Sequence, residues 1–112
     1  MSVKIERLND QFQKEISYIL QTEIKDQDIH FVTITGCEIT NDLSFCKVYF
    51  TVLDTSKKDS TLDSLKGAAS FIRGKLSQRV EVRHTPELRF IYDESIEYGN
   101  KIEKIIEKIN EE

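Results

Sequence analysis

The sequence of 112 residues has no tryptophan, one proline, one methionine, two cysteines and four glycines. Each scarcity removes a class of protein. Cys37 and Cys46 are too few for a disulfide framework and lack the C-x-x-C spacing of a zinc site. The glycines at 36, 67, 74 and 99 are scattered, so no glycine-rich phosphate loop is formed. No stretch approaches the roughly 18 uninterrupted apolar residues that cross a bilayer, and MSVKIERLND lacks the apolar run of a signal peptide. A cytosolic protein with no membrane partner is expected. The two histidines, His30 and His84, have no serine, cysteine or aspartate at a diagnostic spacing. Asp93-Glu94 sits where a helix would need a cap and a favourable dipole, a simpler role than acid–base chemistry. These absences point away from catalysis and from a bound metal or cofactor.

What is present is charge. Charged residues make up 32% of the chain, against about 25% in ordinary domains, and the net charge is −4. An acidic chain is an unexpected ligand for nucleic acid, because phosphate contacts need lysine and arginine. The average conceals an asymmetry. Between Lys57 and Phe90, eight basic residues (Lys57, Lys58, Lys66, Arg73, Lys75, Arg79, Arg83, Arg89) face four acidic ones (Asp59, Asp63, Glu81, Glu87). That surplus of four leaves −8 on the flanks. Charge arranged this way steers one face toward a polyanion while the rest repels it.

The pattern of apolar residues gives the elements. From Lys4 to about Glu23, Ile5, Leu8, Phe12, Ile16, Ile19 and Leu20 recur at spacings of three and four, the mark of an amphipathic helix. Residues Phe31 to Thr40 and Ser44 to Leu53 read as a hairpin around Asn41-Asp42, with a bulge near Gly36 to keep Cys37 and Ile39 in phase with Val32 and Ile34. A tight turn there would set Cys37 directly opposite Cys46, although two separate core-facing thiols are the plainer reading. Thr61 to Val80 is helical by period but carries Gly67, Ala68, Ala69 and Ser70 in its middle. Two helices meeting at a bend are expected, the alternative being one straight helix lying close to a sheet. Arg83 to Pro86 is a connector, Glu87 to Tyr92 a third strand, and Asp93 or Ser95 suits the cap of a last helix with Ile102, Ile105, Ile106 and Ile109 on one stripe. A right-handed crossover makes the second and third strands parallel. The expected fold is α+β: one domain over residues 1–112, a small three-stranded mixed sheet with its helices on one face.

Binding then concentrates on the helical pair. Small residues at 67–70 would let a nucleic-acid strand approach the backbone, and Lys66, Arg73, Lys75 and Arg79 around them are candidates for phosphate contacts in one cationic ridge.

Three segments carry a further signal: T-N-D-L-S-F-C-K-V-Y from Thr40, A-A-S-F-I-R-G-K-L from Ala68, and R-H-T-P-E-L-R-F-I-Y-D-E-S-I-E-Y-G from Arg83. In this order they closely resemble the ribosome-binding factor A family, over about Arg7 to Ile106. The resemblance implies a type II KH fold in which a kink of Ala-x-Gly character replaces the usual Gly-x-x-Gly loop. Here the kink would fall on Ala68-Ala69-Ser70, with serine in place of the glycine and Gly67 beside it. It also implies binding to the free or precursor small ribosomal subunit and its ribosomal RNA, help in late maturation and RNA processing, and a role in growth at low temperature. Arg83 and Arg89 join the RNA-binding candidates, other assembly factors are further partners, and a monomer is the default. Some relatives carry a carboxy-terminal extension that this chain is expected to lack. The rival expectations are a KH protein regulating single-stranded RNA elsewhere and an α+β protein-interaction module.

Overall fold

The computed structural model describes residues 3–95 apart from 27, 28 and 30. The expected last helix therefore lies outside the described residues beyond Glu94 and Ser95, and so does His30.

The first helix, α1 (Val3–Thr22), turns Phe12, Ile16, Ile19 and Leu20 fully inward, as the three–four spacing requires. The chain then forms β1 (Val32–Ile39) and β2 (Phe45–Val52), an antiparallel pair. The register shifts between Ile34 and Gly36, which makes Thr35 the extra residue of a bulge. The bulge restores phase: Val32, Ile34, Cys37 and Ile39 are all buried.

The hairpin turn is longer than the expected two residues. Leu43 N–H donates to the Thr40 carbonyl at 2.9 Å, and Leu43 takes a φ of 62°. Side chains stabilise the loop: the Asp42 carboxylate accepts from Ser44 N–H (3.0 Å) and from the Thr40 hydroxyl (2.8 Å). These bonds hold the Asp42 carboxyl below the usual carboxylate range. The longer turn moves the register by two. Cys46 lies opposite Ile39, and Cys37 lies opposite Val48, so the two cysteines are not directly paired. Both are buried free thiols. The neighbouring Cys46 and burial together push the Cys37 thiol well above the usual range.

Asp54 caps a single 3-10 turn (Thr55–Lys57) by accepting from Ser56 N–H at 3.0 Å, and α2 (Lys58–Arg79) follows. Here the sequence expectation needs correcting. The two helices foreseen on either side of residues 67–70 are one uninterrupted element. A glycine costs a helix only about 1 kcal/mol relative to alanine, and Ala68 and Ala69 are the best helix formers. Thr61, Leu65, Ile72 and Leu76 are buried along one side and hold the helix through its weak centre. The straight-helix alternative is met in part: the helix is single, and Ala68 and Ala69 pack against the core. Gly67 and Ser70 are exposed, and a Cβ added at Gly67 would meet nothing within 4 Å, so those two small residues do not serve contact with the sheet.

The crossover through α2 brings β3 (Glu87–Tyr92) alongside β2 in parallel, from Phe45 opposite Glu87 to Phe50 opposite Tyr92. The order is β1-β2-β3, a mixed three-stranded sheet. Both helices pack on one face of it, over Val48, Phe50, Leu88 and Phe90. At the β1 edge, α1 reaches over: Gln13 Nε2 donates to the Ile34 carbonyl (3.1 Å), and Asn9 Oδ1 accepts from Ile39 N–H (2.9 Å). After β3, Asp93 accepts from Ser95 N–H at 3.0 Å as the next helix begins, so Asp93 is the residue that caps it.

Candidate nucleic-acid interface

The outward face of α2 is built of small residues. Gly67, Ser70, Gly74 and Ser77 are all exposed and follow one another at intervals of three, four and three, so they form one stripe along the helix. A Cβ at Gly74, as at Gly67, would meet open space. Facing this stripe is the connector after α2. Ser70, Arg73, Gly74 and Ser77 on one side and Val82, Arg83, His84 and Thr85 on the other enclose a depression of about 520 Å³. A second depression of about 350 Å³ shares Ser70, Arg73 and His84 and runs on to Ser44, Phe45 and Glu87, where β2 and β3 begin. The two make one shallow groove between the helix and the sheet's starting edge.

Arg73 builds the groove. Its Nε and Nη2 both donate to the Thr85 carbonyl, at 3.0 and 2.7 Å, which ties the connector to the helix. Lys66 lies seven residues before Arg73, two turns along the same side of α2. Lys66 and Arg83 are exposed, and neither makes an ion pair with another described residue.

The other cations are elsewhere. Successive helical residues turn by 100°, so Lys75 stands about 200° round from Arg73, and Arg79 shares the side of Lys75. That side faces α1. Lys75 pairs with Glu23 at 3.7 Å and lies over the Phe71 ring, 5.6 Å from its centroid. Arg79 pairs with Glu15 and stacks 4.3 Å from the centroid of Tyr18. The Glu15 carboxylate holds the Arg79 proton still more firmly than usual. Arg89 points out of the sheet on the face away from the helices, 3.8 Å from the Phe45 centroid. The expected single ridge is therefore not formed. Arg73 and Arg83 line the groove, Lys66 lies two turns from Arg73 on the same side of α2, Lys75 and Arg79 are matched by acids across the α1–α2 seam, and Arg89 belongs to a different surface.

Sequence reasoning missed Ser77, Gly74 and His84 as lining of the groove. The three–four–three spacing of small residues was legible, but reading 67–70 as a bend hid its continuation to Ser77. Among the described residues, no cluster of three or more His, Cys, Asp or Glu is placed to hold a metal ion, and no helix is long and apolar enough to cross a membrane.

Comparison with known proteins gives one consistent result. Residues 4–106 match the family model described as ribosome-binding factor A. A protein of Staphylococcus carnosus named Ribosome-binding factor A is 47% identical over 109 residues, covering 96% of this chain and 95% of its own length. Among solved structures, the crystal structure of ribosome-binding factor A from Thermus thermophilus superposes with a TM-score of 0.73 at 22% identity, over 79% of this chain and 94% of that one. A homology model of the Thermus thermophilus ribosome binding factor A, fitted into the cryo-EM map of a 30S–RbfA complex, gives a TM-score of 0.67 at 22% identity, over 79% and 93% of the two chains. These structures share the KH-like α+β fold described above.

Proposed function

The chain belongs to the ribosome-binding factor A family, and from that membership we propose that it binds the free or precursor small ribosomal subunit through ribosomal RNA laid in the groove beside α2. The observation that carries the reading is the small-residue face of α2, flanked by Lys66 and Arg83, two exposed cations not matched by an acid among the described residues. Small side chains let a sugar–phosphate backbone come close to the helix, and the cations on either side neutralise it. Arg73, already engaged with Thr85, shapes the groove and adds positive charge. His84 and the hydroxyls of Ser70 and Ser77 stand where sugar and base edges would pass. Lys75, Arg79 and Arg89 lie away from this path and contribute a general field.

Support from outside the chain comes from the Thermus thermophilus relative, whose fold matches and whose coordinates were fitted into a complex with the 30S subunit. The family is named for binding, and the reading requires no bond to be made or broken. The domain favours one conformation of the nascent RNA by binding it more tightly than the alternatives, and it shifts the equilibrium only by that difference. In this role it acts as a single-domain monomer in the cytoplasm. It assists late maturation and RNA processing, with the greatest need at low temperature, where misfolded RNA is slow to escape.

The test is binding of purified small subunits across a salt series by the wild type and by a Lys66→Glu/Arg83→Glu double variant. The expected result is weaker binding with a salt slope shallower by roughly 1.5, the loss of about two phosphate contacts. Unchanged affinity and slope would remove the groove from the reading, and a larger effect from Lys75→Glu/Arg79→Glu would move the interface to the α1–α2 seam.

A further inference from the structure

Among the described residues, α1 and α2 pack on one face of the sheet, and the opposite face is left to solvent, with Glu38, Lys47, Arg89 and Ile91 all exposed. Its middle carries two aromatic rings. The alternation of β2 turns Phe45, Lys47 and Tyr49 to this face, while Cys46, Val48 and Phe50 are buried on the other. Phe45 and Tyr49 are half-buried, so part of each ring is open.

Each ring is held in place. The Tyr49 hydroxyl donates to the Glu38 carboxylate at 3.2 Å. Beside Tyr49 on β1 stands Gly36, where even a Cβ would meet nothing within 4 Å, so no side chain crowds the ring from that strand. Toward the start of β2, the Arg89 guanidinium lies 3.8 Å from the Phe45 centroid and is itself exposed, which adds a second flat group to the ring. Between the two aromatics, Lys47 and Arg89 stand side by side in register, and neither makes an ion pair with another described residue. The acids of the face are placed otherwise. Glu38 accepts from Tyr49, Asp93 accepts from Thr35 and Ser95, and Glu87 stands opposite Phe45 at the starting edge.

Flat groups interleaved with cations suit an unpaired strand, because every base has a π-face to stack and every phosphate a charge to neutralise. We propose that this sheet face is a second RNA-contact surface, which takes unpaired bases of ribosomal RNA on Tyr49 and on the Phe45–Arg89 stack, with Lys47 at the phosphates between them. This second contact rests on the groove reading, since the lining of the groove runs on to Phe45 and Glu87. A strand leaving the groove there meets Phe45 and Arg89 first and Tyr49 about 13 Å farther along β2. That separation exceeds the roughly 3.4 Å step of a stacked strand, so the bases at the two places are splayed apart.

Binding of free small ribosomal subunits across a salt series tests the surface. Tyr49→Leu keeps apolar bulk on the strand and removes the π-face. It is expected to bind about tenfold more weakly at every salt concentration with the wild-type slope, whereas Tyr49→Phe stays within about twofold of wild type. Lys47→Gln should make the slope shallower by about 0.7, the loss of one single-strand phosphate contact. Ultraviolet cross-linking of the wild type to the subunits should leave nucleotide adducts on Phe45 or Tyr49. Equal binding by Tyr49→Leu would overturn the proposal, and the groove would stand without it if Lys66→Glu/Arg83→Glu still binds weakly. The converse, a loss with Tyr49→Leu but none with the groove variant, would support the sheet face and overturn the groove alone. A loss with Tyr49→Leu and no nucleotide adduct on β2 of the wild type would assign the face to a ribosomal protein and overturn the proposal equally.

Discussion

Arg73 and Thr85 are joined by two hydrogen bonds from one guanidinium to one carbonyl, across the turn that reverses the chain between α2 and β3. The single proline follows at once, buried at position 86 and unable to donate. The shape of the groove therefore depends on an arginine that sequence inspection assigns to solvent and RNA.

Replacing Arg73 should reveal that structural role. Arg73→Ala is expected to destabilise the fold by about 1.5–3 kcal/mol, the range for hydrogen bonds to a charged group. Arg73→Lys keeps the charge but not the planar fork, and should recover only part of the loss. Urea unfolding with a common slope measures both. A variant as stable as the wild type would show that the connector holds its place without the arginine.

Gly74 separates folding from binding. Its Cβ position is open, so Gly74→Ala should raise stability by about 0.5–1 kcal/mol through helix propensity. The same methyl narrows the approach of an RNA backbone and should weaken subunit binding. Opposite signs in thermal unfolding and in binding are the expected result; tighter or equal binding would mean that the small-residue stripe is not approached closely.

Cys37 predicts an alkaline limit. In the fold its proton is held by Cys46 and by burial, whereas in the unfolded chain a thiol ionises near pH 8.5. Above that value the unfolded state binds fewer protons than the native one, so stability falls as pH rises, by up to about 1.4 kcal/mol per pH unit. Cys37→Ala should flatten this decline between pH 8.5 and 9.5. Equal slopes for the two proteins would refute the assignment.

Asp93 predicts the acid limb. Its carboxyl is held low chiefly by Ser95 and then by the Thr35 hydroxyl, which donates to it at 2.6 Å. The stabilisation is present above the unfolded value near pH 3.9 and is lost as pH falls through the lower native value. Asp93→Asn should therefore be less sensitive to acid below pH 4 than the wild type, as followed by circular dichroism.

Much of the fold was legible because it rests on period and chain direction. The buried spacing of Phe12, Ile16 and Ile19, the bulge beside Gly36 and the parallel pairing of β2 with β3 all follow from residues taken in order. The hairpin turn was not, because Leu43 adopts a positive φ with no glycine to signal it, and Thr40 and Asp42 supply the bonds that make this stable. The site was the least legible part. Lys75 and Arg79 look free along the chain, and only the packing of α1 against α2 brings Glu23 and Glu15 to them. A charge can be read from sequence; its counter-ion, when distant in the chain, cannot.

Asn9 and Gln13 bear on how the protein behaves in a crowded solution. An outermost strand presents donors and acceptors to any extended peptide that drifts past, the first step toward stacking molecules into fibres. By engaging the Ile39 amide and the Ile34 carbonyl, the two side chains obstruct that lateral growth at the β1 margin.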